Sequence, residues 1–341
     1  MPSSRLSRRA FLAATGGMVA APVVHTSPAS RGGGVAALRP AQAAAAAPAQ
    51  TAPGAGTRLV LLGTAGGPTP KLQRAAPAQA IVSGDRVYLV DCGDGVARQL
   101  RLANLPLDQL RAIFITHQHS DHNAGYGALL LVAWASGLPA PIEVHGPPPL
   151  EKMTSLLLEA NAFDIRTRMD DEGHPPLAPL LRVQEVALVP GLRAKPVEIF
   201  RDDRVKVTAV LNNHPPIQQS LALRFDARDR SIVISGDTTY AESVRELARG
   251  ADVLVHEALY GPYWQRRDLP LPARVVRHIV ASHTDAADVG KLAAEAGVKT
   301  LVLTHLVPSD PPGAVTDQQW LEAAGRHFKG QVVLGKDLME I

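Results

Sequence analysis

The sequence predicts an α/β fold, in which short strands alternate with helices along one chain. Runs rich in β-branched residues, such as residues 112–115 and 205–211, indicate buried strands. Longer segments with helical spacing, such as residues 124–136 and 150–160, lie between the strands. Histidine or aspartate follows four separate strands, and this recurrence predicts that polar side chains meet at one edge of a sheet.

The composition is that of an ordinary globular protein. The 341 residues are 46% hydrophobic and 20% charged, and the length suits one large domain or two small ones. The single cysteine, Cys92, excludes an internal disulfide framework and a cysteine-rich metal site. The formal net charge is +3, but the first 56 residues hold five arginines and no other charged residue. Residues 57–341 therefore carry a net charge of −2, which is not the basic footprint expected of a dedicated nucleic-acid-binding protein.

The beginning of the chain is similar to an export signal. Residues 7–12 read S-R-R-A-F-L and precede a short apolar run, a pattern that resembles a twin-arginine (Tat) signal. We predict a signal peptide over residues 1–43, a flexible Ala/Pro/Gly linker over 44–56 and a folded domain over 57–341. The resemblance implies the Tat export machinery as a partner in transit and a periplasmic or secreted location. An unstructured N-terminus with two chance arginines is the alternative.

The folded region begins with a strand over residues 59–62 that runs into a glycine-rich turn. The turn lacks the Lys-Ser/Thr pair of a phosphate-binding loop and the spacing of a dinucleotide fingerprint. We interpret it as a tight loop that brings the backbone close to the site. Strands at residues 80–82 and 87–90 form a hairpin that ends in Asp91, and a helix opens at Gly95.

The densest polar cluster follows the strand at residues 112–115, where residues 117–122 read H-Q-H-S-D-H. Each neutral imidazole there needs a hydrogen-bond partner or a metal ion. His117 and His119 are two residues apart and point the same way in an extended segment, whereas the aspartate and histidine past the bend can face a second point. Two neighbouring metal ions are the economical interpretation. A solvated loop that happens to be rich in histidine is the alternative.

The later elements deliver further candidate residues. A helix at 150–160 follows His145, which we interpret as structural, and residues 161–192 are predicted to be an irregular exposed loop. A helix over residues 285–296 follows His283. The later strands lead into His214, Asp237, His256, Glu257 and His305.

These motifs and their order resemble a known family. The pattern H-x-H-x-D-H at the end of a strand is similar to the metallo-β-lactamase superfamily, which implies a four-layer αββα sandwich with a metal site at one edge. The later motifs resemble the ribonuclease Z and arylsulfatase-like branch, and the resemblance covers essentially residues 58–341. Those motifs are L-G-T at 62–64, D-C-G at 91–93, His214, S-G-D-T at 235–238, H-E at 256–257, H-T at 283–284 and L-T-H at 303–305.

The resemblance implies a set of ligands for two metal ions. His117, His119 and His214 would hold the first metal. Asp121, His122 and His305 would hold the second, and Asp237 would bridge the two. Neutral imidazoles and carboxylates without a thiolate suit two zinc ions, although manganese or iron would also accept this set. Asp91 would accept a hydrogen bond from an imidazole beneath the ligands, and a plain turn aspartate is the alternative.

The resemblance also implies a metal-dependent hydrolase of ester bonds. A metal-bridged hydroxide would attack a phosphodiester, a sulfate ester or a related small ester, and Asp121 could orient or deprotonate that nucleophile. His283 matches the family position proposed as the proton donor to the leaving group, assisted by Glu257. The alternative is that His283 is only a polar residue at a helix start.

The expected partner is a small-molecule ester rather than nucleic acid. Transfer RNA binding needs a basic arm, and no Lys/Arg-rich insertion of useful length is present. The one local basic patch, Arg266, Arg267, Arg274 and Arg277, could contact a phosphate or sulfate or could be a solvated surface. A lactonase or β-lactamase-like amide hydrolase is the alternative enzyme, and a non-enzymatic metal-binding protein is the other alternative. A homodimer is left open.

Overall fold

A computed structural model describes residues 56–189 and 195–341. The predicted signal peptide and all but the last residue of the predicted linker lie outside the described residues, so the boundaries at residues 43 and 56 stay predictions. None of the helices in the described part of the chain combines the length and the apolar character that a membrane crossing requires.

Two seven-stranded sheets form the centre of the fold. The first has the strand order β14-β1-β2-β3-β4-β5-β6, and the second has the order β13-β12-β11-β10-β9-β8-β7. Both sheets mix parallel and antiparallel pairs. In chain order the strands are β1 (Arg58–Gly63), β2 (Ala78–Ser83), β3 (Arg86–Val90), β4 (Leu110–Phe114), β5 (Ile142–Gly146), β6 (Leu181–Glu185), β7 (Val197–Arg201), β8 (Val205–Leu211), β9 (Leu221–Ala227), β10 (Ser231–Ile234), β11 (Val253–Leu259), β12 (Thr300–Val307), β13 (Gln331–Leu334) and β14 (Met339–Glu340).

Helices cover the outer face of each sheet. Helices α1, α3 and α4 pack on the first sheet, and α6, α9 and α10 pack on the second. The helices are α1 (Val96–Leu102), α2 (Ser120–Asn123), α3 (Tyr126–Ala135), α4 (Leu150–Ala160), α5 (Ala162–Asp171), α6 (Glu242–Leu247), α7 (Gly261–Trp264), α8 (Ala273–Ser282), α9 (Ala286–Ala296) and α10 (Asp317–Gly325). The predicted four-layer αββα sandwich is confirmed.

Three apolar layers hold the sandwich together. On β1, Val60 and Leu62 face the helices, whereas Leu59 and Leu61 face the second sheet. Because both faces of the inner strands are buried, these strands are almost continuously apolar and do not alternate with polar residues. His145 on β5 lies in the layer between the sheets, 5.3 Å from the ring of Phe114. Burial lowers the pKa of His145 to about 4, so this imidazole stays neutral in the core. It belongs to none of the candidate groups of metal ligands in the described residues.

The prediction of an irregular loop over residues 161–192 is wrong for about half of that segment. Helix α5 and strand β6 both lie within it. Helix α5 has no buried residue and is supported by i,i+4 ion pairs of Arg168 with Asp164 and Glu172. Strand β6 forms the edge of the first sheet, pairs parallel to β5 and is largely exposed. Neither element carries the apolar periodicity on which the prediction depended.

Candidate metal centre

The strand ends bring all seven predicted metal ligands to one edge of the sandwich. Four of them follow β4 of the first sheet, and three come from β8, β10 and β12 of the second. Only His119 among them is partly exposed, and the other six are buried. In chain order they are His117, His119, Asp121, His122, His214, Asp237 and His305.

The first group consists of His117, His119, His214 and Asp237, whose ligand atoms lie within 4.8 Å of one another. His119 Nδ1 is 3.0 Å from His117 Nε2 and 3.2 Å from His214 Nε2. Asp237 Oδ2 is 3.9 Å from the Nε2 atoms of both His117 and His214. Three ring nitrogens and one carboxylate oxygen therefore face a common point.

The second group consists of Asp121, His122, Asp237 and His305. His305 Nε2 is 3.1 Å from Asp237 Oδ2 and 3.4 Å from Asp121 Oδ2. His122 Nε2 is 3.4 Å from Asp237 Oδ1 and 3.6 Å from Asp121 Oδ2. Asp237 belongs to both groups, so its carboxylate could serve either of them.

Hydrogen bonds at the far ring nitrogens fix two of the imidazoles. His122 Nδ1 donates to Asp91 Oδ2 over 2.7 Å, and Asp91 also accepts from the backbone N–H and hydroxyl of Thr116. His214 Nδ1 donates to the carbonyl oxygen of Ser282 over 2.9 Å. In both rings Nε2 then faces the centre, which is the nitrogen that remains for a metal ion.

A bulge in β12 directs His305 into the site. Glu257 of β11 pairs with Thr304, and the next pair joins Ala258 to Leu306, so His305 is the extra residue. Its φ angle of 43° lies in the left-handed region. A bulge of this kind turns one side chain out of the regular alternation of a strand. His305 can therefore reach the ligand group although β12 continues beyond it.

The centre combines buried imidazoles with buried carboxylates that stay charged. Burial would lower the pKa of His122, but the surrounding carboxylates, Asp237 first, raise that pKa well above its usual value. Burial would raise the pKa of Asp237, but His305 and His122 hold it well below its usual value. Burial lowers the pKa of His117 well below its usual value. Metal cations bound here would neutralise the charge of the carboxylates and would be coordinated by the neutral imidazole of His117.

The donor set fits divalent cations. The buried atoms His122 Nε2 and Asp237 Oδ1 have no hydrogen-bond partner within the described residues. A buried polar atom without a partner costs about 1–3 kcal/mol, and a metal ion would satisfy both atoms. Two groups of imidazole nitrogens and carboxylate oxygens, with no thiolate, form a candidate binding site for two metal ions.

The predicted proton-donor pair lies next to the ligands. Glu257 Oε1 accepts from the backbone N–H groups of Thr238 and Thr284, at 3.2 and 2.9 Å. Its other oxygen, Oε2, is 3.4 Å from His283 Nδ1. Burial would lower the pKa of His283, but Glu257 outweighs burial and raises that pKa to about 9. The His283 ring stacks against His305 with the ring centroids 5.5 Å apart, so this imidazole lies beside the centre.

Two features at the site were missed by sequence reasoning. The carbonyl of Ser282 orients His214, and a backbone group carries no residue-type signal. Lys71 lines a cavity of about 200 Å³ together with Ser120 and Asp121. Burial lowers the pKa of Lys71. The Pro-rich loop that holds Lys71 has no periodicity or motif spacing that would have marked it.

Residues 86–306 match the family described as the beta-lactamase superfamily domain. The chain is 32% identical to ribonuclease Z of Mycobacterium bovis over 288 residues, which cover 83% of this chain and 97% of that relative. It is 34% identical over 289 residues to ribonuclease Z of Mycobacterium sp. (strain KMS), covering 83% of this chain and 95% of the relative. The crystal structure of the short form of human tRNase Z superposes with a TM-score of 0.59 at 25% identity, over 83% of this chain and 98% of that one.

These relatives overturn the expectation about partners. Nucleic acid was not expected, and a small-molecule ester was the expected substrate, but the relatives are named ribonuclease Z and tRNase Z. The expectation was wrong because it relied on the net charge of −2 for residues 57–341, on the absence of a Lys/Arg-rich arm and on the resemblance of the N-terminus to an export signal. A net charge averages over the whole surface and says nothing about one basic patch.

Proposed function

The chain belongs to the metallo-β-lactamase superfamily and is a metal-dependent hydrolase with ribonuclease Z relatives, and we propose that it cleaves phosphodiester bonds in RNA. The observation that carries the proposal is the full set of seven ligand side chains in two groups that share Asp237. The Glu257–His283 pair next to these groups would supply the leaving-group proton. Identity of 32% across nearly the whole of a ribonuclease Z supports RNA as the substrate class.

Each residue has a separate role in this proposal. His117, His119 and His214 would hold one zinc ion, Asp121, His122 and His305 the other, and Asp237 both. When bound, such a pair supplies an activated water and stabilises the negative charge on the phosphate oxygens. Asp121 lines the cavity next to the ligands, so its carboxylate is placed to orient or deprotonate the attacking water.

The leaving oxygen receives its proton from His283 in this proposal. Glu257 holds the Nδ1 side of the ring, which leaves the Nε2–H group for the substrate. Because the backbone N–H groups of Thr238 and Thr284 anchor the other oxygen of Glu257, the pair stays in place as the proton leaves. His283 therefore acts as a general acid, and Glu257 acts as its positioning residue.

Cleavage assays with purified, metal-replete protein test the proposal. The substrates are a transfer RNA precursor with a 3′ extension and an unstructured RNA of equal length. We expect cleavage of RNA by the wild type and a loss of at least about a hundredfold in His119→Ala, because one ligand of the first group is removed.

His327→Ala, which removes an exposed imidazole outside the site, is the matched control and should cleave like the wild type. Absence of RNA cleavage by metal-replete wild type, or undiminished cleavage by His119→Ala, would contradict the proposal. Including p-nitrophenyl sulfate, a lactone and a β-lactam in the same screen tests the alternatives that the sequence left open.

Export is the second part of the proposal. It is supported by the S-R-R-A-F-L pattern at residues 7–12, which lies outside the described residues. Replacing Arg8 and Arg9 by lysine should retain the protein in the cytoplasm, whereas the wild type should reach the periplasm or the medium. Cell fractionation and immunoblotting measure this distribution, and an unchanged distribution would remove export from the proposal.

A further inference from the structure

Helix α8 carries a stripe of exposed basic side chains. Arg274, Arg277 and His278 lie at i, i+3 and i+4, so they share one face of the helix, and all three are exposed. The opposite face packs through Val276 and Ile279 into a small apolar cluster that includes the buried residue Trp264. The rotation of α8 about its axis is therefore fixed, and the basic stripe is held on the surface.

The charge on this stripe is not neutralised by the chain itself. Residues 266–284 contain four arginines and a single carboxylate, that of Asp268, which gives a net charge of +3. Asp268 pairs with Arg266, so it does not reach the stripe. Some exposed arginines elsewhere on the described surface, such as Arg201 and Arg249, pair with a glutamate three residues away, whereas Arg98 and Arg101 on α1 make no ion pair within the described residues. Arg274 and Arg277 make no ion pair within the described residues, although residues 57–341 as a whole are slightly acidic.

The stripe leads directly to the candidate metal centre. The last residue of α8, Ser282, accepts the Nδ1–H of His214 on its carbonyl oxygen, and its hydroxyl donates to the carbonyl of Pro215 over 2.6 Å. His283 follows at once in the chain. At the α-helical rise, Arg277 lies about 7.5 Å and Arg274 about 12 Å before Ser282 along the helix axis. Two free cations are thus spaced along a line that ends at the reacting groups.

We infer that α8 is the surface along which a single-stranded segment of RNA lies next to the bond to be cleaved, with Arg274 and Arg277 on successive backbone phosphates. This inference rests on the proposed function. It adds the surface by which the protein would bind the RNA whose phosphodiester bond is cleaved at the metal centre. Unpaired arginines on one helix face match the regular negative charge of a phosphate backbone. A single solvated arginine can occur on any protein surface. Two arginines on one helix face, on a helix that ends at the metal ligands, are instead placed to bind a single strand of RNA that enters the site.

Binding and cleavage of RNA test the surface separately from the chemistry. The double variant Arg274→Gln and Arg277→Gln is compared with the wild type for cleavage of RNA and of bis(p-nitrophenyl) phosphate, whose single phosphate occupies the centre and leaves none for Arg274 or Arg277. Binding of a fluorescent RNA is measured by anisotropy in the full-length His119→Ala background, with and without the two glutamines, over a range of salt concentrations.

We expect the double variant to bind RNA about tenfold more weakly, with a slope of log K against log salt lower by about 1.4, because two single-strand phosphate contacts are lost. Hydrolysis of bis(p-nitrophenyl) phosphate should stay unchanged. The matched control is Arg98→Gln with Arg101→Gln, two exposed arginines at the same i,i+3 spacing on α1, and this variant should bind RNA like its parent.

Unchanged RNA affinity in the α8 variant would overturn the inference while leaving the proposed function in place. Loss of both substrates together would also overturn it, because the change would then act on the centre itself. A shift in molecular mass by light scattering would assign the stripe to an interface between copies of the chain and would overturn it as well. If the wild type failed to cleave RNA although its RNA binding depended on Arg274 and Arg277, the proposed function would be wrong. The inference that α8 binds RNA would still be supported.

Discussion

At the scale of single residues, the contacts assign different tasks to chemically identical side chains. His122 and His214 each donate one ring N–H to a buried acceptor, which turns the other nitrogen toward the centre. His283 instead faces the carboxylate of Glu257, which raises its pKa to about 9. His145 has no polar partner within the described residues and stays neutral among aromatic rings. The neighbours of an imidazole, rather than its identity, decide whether it binds a metal, carries a proton or fills the core.

The position of His283 predicts a dependence on the leaving group. An RNA alkoxide needs a proton as it departs, whereas nitrophenolate leaves unaided. We expect His283→Ala to lower RNA cleavage by about 10²–10⁴, the usual contribution of a general acid, and to lower hydrolysis of bis(p-nitrophenyl) phosphate by less than about tenfold. Single-turnover rates on both substrates measure the difference.

The control for this prediction is His174→Ala, which removes an imidazole that packs on Trp134 away from the ligands and should affect neither substrate. An equal loss on both substrates in His283→Ala would show that the imidazole supports the ligands instead of donating a proton. Glu257→Gln keeps the shape but removes the charge, so it should reproduce the selective loss and shift the alkaline limb of the RNA pH profile to lower pH.

At the scale of elements, the sequence predicted several of the strands and helices that bury an apolar surface, although α6 and α10, which pack on the second sheet, were not predicted. Strand β8 and helix α4 coincide with their predicted bounds, because their apolar residues are regularly spaced. Helix α5 and strand β6 were missed because they bury little and depend on ion pairs and on an edge pairing. Strand β7 is likewise largely exposed and was not predicted. Periodicity reports burial, so an exposed element leaves no such signal.

The turns that aim the ligands were only partly predictable. The Gly-Asp pair before Thr238 was recognised from the sequence as a turn. The structure shows why glycine is needed there: Gly236 has a φ of 59°, and a Cβ at this position would lie 2.6 Å from the carbonyl oxygen of Leu221. The bulge that directs His305 inward could not be predicted, because it depends on the register between β11 and β12. The order of the strands in the sequence was therefore enough to predict which polar residues lie close together. The direction of each side chain depends on the register between paired strands, which the sequence does not show.

At the scale of the whole molecule, the distribution of charge was the main failure of the sequence reasoning. The expectation of a small ester relied on the net charge of −2 for residues 57–341 and on the absence of a Lys/Arg-rich arm, although residues 266–284 carry a net charge of +3. The four arginines were visible in the sequence. Two of them, Arg274 and Arg277, lie on the helix whose last residue, Ser282, accepts a hydrogen bond from His214, and the position of that helix is specified by no local pattern.

The two groups of ligands also join the two sheets. His117, His119, Asp121 and His122 follow β4 of the first sheet, whereas the other three ligands come from the second sheet. Metal ions held between them would therefore cross-link the halves of the sandwich. Their removal would leave the buried carboxylates Asp121 and Asp237 with imidazoles as their ion-pair partners within the described residues.

Removal of the metal should consequently lower the stability of the whole fold. A ligand that binds only the folded state at a free concentration a hundredfold above its Kd contributes about 2.7 kcal/mol to the free energy of unfolding. For a domain of this size, chelation should then lower the Tm by about 5–10 °C, and added zinc should restore it. Differential scanning calorimetry with parallel metal analysis measures both quantities. Asp237→Asn, which weakens both groups at once, should have a Tm that no longer responds to chelator. A wild type that loses its metal without any change in Tm would show that the ions act in chemistry alone and do not hold the sheets together.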